Sequence, residues 1–157
     1  MINRLYRLGG MLAFAAASAF AWGVDTPQHK TAGGIEVFYG VVPGEVVQTH
    51  VKEHSAAPMH KKVFFARGTH HLVVTLYDTK TSERINDAKV TATVTPLGLA
   101  PETKTLDVMK INDTISYGNY FSMSPGDTPY RVVLSIERPP GHSAITTEFD
   151  YRHGTSR

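Results

Sequence analysis

Ser116-Tyr-Gly-Asn-Tyr-Phe-Ser-Met123, followed by Pro129-Tyr-Arg-Val-Val-Leu-Ser-Ile-Glu-Arg-Pro-Pro140, is the stretch that decides the fold. In its second half Val132, Leu134 and Ile136 fall on every other position, the period of a strand with one face buried. Pro139-Pro140 ends that strand, because proline has no N–H for the ladder. Its first half is a strand over residues 117–123 carrying aromatics, a glycine and an isolated methionine.

The same period extends on both sides. In His70-His-Leu-Val-Val-Thr-Leu-Tyr-Asp78, Leu72, Val74 and Leu76 share one face. In Ala88-Lys-Val-Thr-Ala-Thr-Val-Thr95, Val90, Ala92 and Val94 point inward and the threonines outward. Ile35-Glu-Val-Phe-Tyr-Gly-Val-Val42 reads as the first strand, residues 103–109 as one short strand, and 144–152 as the last, with Ile145, Thr147, Phe149 and Tyr151 on one face. A short strand is also expected at Val63-Phe-Phe65. Seven or eight short strands with turn signals every ~8–12 residues, and no sustained helical period, predict an all-β, immunoglobulin-like antiparallel sandwich.

The N-terminus reads as an export signal. Arg4 and Arg7 precede an apolar run from Gly9 to Phe20, and Ala19-Phe-Ala21 supplies small residues at a cleavage site. Cleavage is expected after Ala21. The run is shorter than the ~20 residues of a membrane-spanning helix, so the mature chain is expected in the periplasm. Residues 22–34, polar with Pro27 and Gly33-Gly34, read as a flexible lead-in to a single domain over 35–153. The sequence has 16 basic and 14 acidic residues. Loss of Arg4 and Arg7 leaves 14 of each, which gives no footprint for nucleic acid. There is no cysteine, so an exported domain of this size must be held by its core alone.

The chemical signal is eight histidines and five methionines without cysteine. Imidazole suits copper, zinc, iron and nickel, and thioether sulfur favours copper(I). Met59-His60 is an adjacent thioether–imidazole pair in a segment without stable period. His70 and His71 open a strand and must point to opposite faces, His70 with the core side and His71 with Val73, Thr75 and Tyr77. That makes His71 the better ligand of the two. Met109 stands at a strand end, as does Met123, where filling a core gap is the competing role. His29, His142 and His153 lie in loops or near termini and read as solvated; His50 and His54 sit four apart, a spacing with no meaning outside a helix. No nucleophile elbow, glycine-rich phosphate loop or acid–base carboxylate spacing is present, so no enzyme is expected.

From Met109 through Tyr117-Gly118, Met123, Tyr130-Arg-Val and Ile136-Glu-Arg-Pro-Pro140, the chain resembles the periplasmic high-affinity iron-transport accessory proteins. His71-Leu72 opening a strand and Glu148-Phe-Asp-Tyr151 closing the domain add to the likeness. The resemblance implies an exported sandwich that binds copper beside an iron permease, with His71 and Met109 as metal ligands. It also implies a histidine where this chain has Ser116, and an acid where it has Val73; the His-rich loop after Pro-Pro is reduced to Gly141-His142. Met59, His60 or His70 would have to complete the ligand set.

The expected function is therefore periplasmic carriage or buffering of copper, linked to iron uptake. The implied partners are the metal ion (copper, with iron as the second choice) and an inner-membrane permease or another periplasmic protein; the sequence leaves room for a homodimer. The alternative is a metal-free immunoglobulin-like module for protein–protein interaction, which requires His71 and Met109 on opposite faces. A third reading takes Tyr117, Tyr120 and Tyr130 as a carbohydrate-stacking platform.

Overall fold

The computed structural model describes residues 28–44, 46, 68–111, 113–124, 128–138 and 143–153. Nine strands fall within them: β1 His29–Ala32, β2 Ile35–Pro43, β3 Thr69–Asp78, β4 Lys89–Pro96, β5 Glu102–Thr105, β6 Asp107–Ile111, β7 Thr114–Ser122, β8 Tyr130–Glu137 and β9 Ile145–Tyr151. They form two antiparallel sheets, β1-β2-β3-β7-β6 and β5-β4-β8-β9. The expected all-β sandwich is what the chain adopts.

Alternation assigns the core. Leu72, Val74 and Leu76 of β3 meet Val90, Ala92 and Val94 of β4 and Val132, Leu134 and Ile136 of β8, all buried. On β9 the face of Thr147 and Phe149 is buried, with Ile145 and Tyr151 half-buried at its ends. Met123 is in this core, filling space as a flexible thioether does. Tyr117 is buried too, and its hydroxyl donates to the Ile85 carbonyl at 3.0 Å while accepting from the Ala88 N–H at 3.1 Å. It thereby ties β7 to the crossing between the two sheets. With Tyr117 and Tyr130 both in the core, Tyr117, Tyr120 and Tyr130 form no exposed platform for a sugar to stack on.

Two expectations need correction. Within the expected flexible lead-in, residues 29–32 form strand β1, paired to β2 through a two-residue Gly33-Gly34 loop. Both glycines have positive φ, 54° and 80°, the conformation such a hairpin loop requires. A Cβ on Gly33 would lie 2.7 Å from Cδ1 of Ile145, so the turn is packed onto β9. Polar composition hid an edge strand. Residues 103–109, expected as one strand, are two, and they belong to different sheets. Leu106 turns into the core and its N–H bonds the Val90 carbonyl at 2.8 Å. The chain then leaves β5 at the edge of one sheet and enters β6 at the edge of the other. The short strand expected at 63–65 lies outside the described residues.

Polar contacts close both sides of the sandwich. On the β1 side the Tyr39 hydroxyl reaches the Asp150 carbonyl at 3.3 Å. On the β6 side Asn119 Nδ2 donates to the Thr105 carbonyl at 2.9 Å and Lys104 Nζ to the Tyr120 carbonyl at 2.6 Å.

Candidate metal centre

Near its start β3 carries three consecutive buried residues, His70, His71 and Leu72, although neighbours on a strand face opposite ways. His71 therefore lies on the outer face of the five-stranded sheet. The register sets Tyr120 of β7 opposite His71 and Gly118 opposite Val73. It sets Met109 of β6 opposite Ser116, and Asp107 opposite Gly118. His71, Met109, Ser116 and Tyr120 are all buried, yet Met109 and Tyr120 are not part of the core cluster. The sheet thus buries a second group on the side away from its core.

Gly118 is the floor of that group. A Cβ there would stand 2.6 Å from Cε of Met109, 2.9 Å from Nε2 of His71 and 2.9 Å from the Leu72 carbonyl oxygen. The thioether and the imidazole converge on the space above one glycine. The His71 ring stacks on Tyr120, centroids 4.5 Å apart and planes 27° off parallel, which holds the imidazole plane and leaves its buried Nε2 over Gly118. Burial also pushes the Tyr120 phenol above its ordinary pKa. Beside them the Thr75 and Ser116 hydroxyls lie 3.4 Å apart, two neutral groups on the same face.

A neutral imidazole nitrogen and a thioether sulfur are donors for soft and borderline metals. These two side chains are donors of the kind that copper takes. The expected pair His71 and Met109 is brought together over Gly118, and Met109 is buried outside the core cluster. Among the described residues no group of three or more His, Cys, Asp or Glu side chains gathers anywhere.

His70 does not join this group. Its ring faces inward at the end of the sandwich, where Nδ1 donates to the Gly68 carbonyl at 3.2 Å. The ring centroid lies 4.6 Å from that of His153, tilted 55°. The expected role of His70 as a ligand beside His71 is therefore corrected: one sheet separates the two rings. His153 was expected to be solvated and is instead half-buried, with the Tyr151 hydroxyl 3.3 Å from its Nδ1 and the Tyr130 ring edge-on. Burial first, and then the neighbouring charge of His70, hold the His153 pKa below its ordinary value, against a Ser124 backbone hydrogen bond. His29 stacks on Phe38 at 4.3 Å, on β1 and away from the centre. Met59 and His60, with His50, His54 and His142, lie outside the described residues.

Sequence reasoning missed Gly118 and Tyr120 as parts of the centre. Alternation puts 116, 118 and 120 on one face, but only the β3–β7 register brings that face beside His71.

No family model and no curated protein matches the chain. Solved structures do. A copper-bound variant of FetP from uropathogenic Escherichia coli strain F11 aligns at TM-score 0.62 and 14% identity, over 80% of this chain and 93% of that one. The copper-reconstituted P19 protein of Campylobacter jejuni aligns at 0.60 and 11%, over 80% and 92%. A DUF4426 family protein from Pseudomonas aeruginosa PAO1 aligns at 0.56 and 16%, over 80% and 93%. This chain shares their fold. The likeness agrees with the fold that the sequence resemblance implied.

Proposed function

We propose that the chain is a periplasmic copper-binding protein that carries or buffers the metal, with His71 Nε2 and the Met109 sulfur as its first two ligands. One observation carries the reading: an imidazole nitrogen and a thioether methyl meet over Gly118, buried on the sheet face opposite the core. The fold supports it, since FetP and P19 are proteins of this fold whose structures hold copper. The N-terminal pattern of Arg4, Arg7 and the run to Ala21 supports export. No helix among the described residues is long and apolar enough to cross a membrane. Met59 and His60 are further donors proposed from the sequence alone. Service to iron uptake, with an inner-membrane permease as partner, is proposed from the sequence resemblance.

His71 and Met109 share a face, which removes the condition that the metal-free interaction module required. That reading would use the exposed Leu97 and Leu99 of the β4–β5 turn.

The test is a copper titration of the apo-protein by calorimetry, beside the His71→Ala/Met109→Ala double variant. One copper bound by the wild type and none by the variant supports the reading. Binding weaker than about micromolar, or equal binding by the variant, overturns it.

A further inference from the structure

We propose that this centre selects a monovalent soft cation, copper(I) with silver(I) as its redox-inert analogue, over copper(II) and over iron. The inference rests on the copper-binding reading above and says which ion that site takes.

The donors themselves argue for it. Thioether sulfur selects copper(I), whereas copper(II) seeks a tetragonal set of nitrogen and oxygen ligands and iron favours harder donors. The groups nearest Gly118 are one imidazole, one thioether and the backbone carbonyl of Leu72, with the neutral hydroxyls of Thr75 and Ser116 on the same face. No cluster of three or more His, Asp or Glu side chains forms there among the described residues. Asp107, the acid set opposite Gly118 on β6, is exposed.

Burial argues the same way. His71 is 7% exposed and Met109 3%. The cost of taking an ion out of water grows with the square of its charge, so a dication costs roughly four times as much as a monocation. A centre of neutral, buried donors offsets little of that cost. Copper(I) and silver(I) need only two or three such donors.

Ser116 is the residue that sets the choice. It is buried, stands opposite Met109 in register and faces Thr75. An imidazole at this position would stand on the same face as His71 and Met109 and add another nitrogen of the kind copper(II) wants. Ser116→His should therefore convert the preference.

The experiment measures affinities of the full mature chain for silver(I), for copper(I) under anaerobic competition with a chromophoric chelator, and for copper(II) and iron(II). It runs on the wild type, Ser116→His, Asp107→Asn and the His71→Ala/Met109→Ala pair. The expected result is one silver(I) or copper(I), mutually competing, with copper(II) roughly a hundredfold or more weaker. Asp107→Asn should leave that ratio unchanged, and Ser116→His should raise copper(II) affinity at least tenfold. Copper(II) binding as tightly as copper(I) in the wild type, or a ratio that collapses with Asp107→Asn, overturns the selectivity while leaving copper binding standing. No binding of any of the four ions overturns both.

Discussion

The two faces of the β3–β7 pair make an instructive contrast, because the same strands bury both. On the inner face Leu72, Val74, Tyr117 and Phe121 interlock with the opposite sheet, and their one polar group, the Tyr117 hydroxyl, has its hydrogen bonds filled. On the outer face His71, Gly118 and Tyr120 alternate with them residue for residue, joined by Met109 from β6. Burial on the inner side stabilises the fold. On the outer side it desolvates the His71 and Met109 side chains, which close over a glycine whose missing Cβ lets them come that near. Adjacent residues can thus be bound to opposite purposes, and burial alone does not say which.

The contrast can be broken at three points. Phe121→Ala opens a core cavity and is expected to cost about 3–5 kcal/mol, read by chemical denaturation, with metal stoichiometry kept in the folded fraction. Gly118→Ala strikes the outer floor: its Cβ would meet the Leu72 backbone and both donor side chains. Alanine ordinarily suits a strand interior better than glycine; here the expected effect is a loss of about 1–3 kcal/mol, together with silver(I) binding. A stable Gly118→Ala protein that still binds silver would refute the glycine floor. Met109→Leu keeps volume and apolarity, so stability should fall by less than about 1.5 kcal/mol while metal affinity disappears. The reverse pattern would return Met109 to the role of packing.

The smallest effect lies at the end of β3, on neither face. Asp78 Oδ1 accepts from the N–H groups of Lys80 and Thr81 at 2.9 and 3.2 Å. These bonds, and then the Arg138 guanidinium, hold its carboxyl below the ordinary 3.8. A folded-state pKa lowered in this way stabilises above the unfolded value and is lost as pH falls through the folded one. The stability difference between wild type and Asp78→Ala should therefore be present at pH 6 and shrink as pH drops below about 4. A difference independent of pH would assign it to turn geometry alone.

Much of this was legible from residue order. The alternation in β3, β4, β8 and β9 sets which side chains are buried, because a period of two has one solution once a face is apolar. His71 and Met109 were legible as chemistry. Their meeting was not, because it depends on β7 lying between β3 and β6 in one register, a long-range pairing that no local pattern encodes. The break at Leu106 escaped for a different reason. Thr103 to Met109 keeps strand-like composition throughout, and the sheet change is written only in Leu106 bonding Val90. β1 escaped because its polar residues pair at an edge. His153 escaped because a terminal histidine carries no sign of the tyrosines it will pack against.

The passage at Leu106 also gives the sandwich a spine. On the β5–β6 side the two sheets are joined by continuous backbone, one residue long between strands. On the β1–β9 side they are held by the Gly33 turn against Ile145 and the Tyr39 bond to Asp150. Like a book, the protein has a bound edge and a fore-edge, the first covalent and the second held by side chains. Met109 stands three residues past the binding, on the same page as His71, so the path from one to the other runs through β7 and never crosses between sheets.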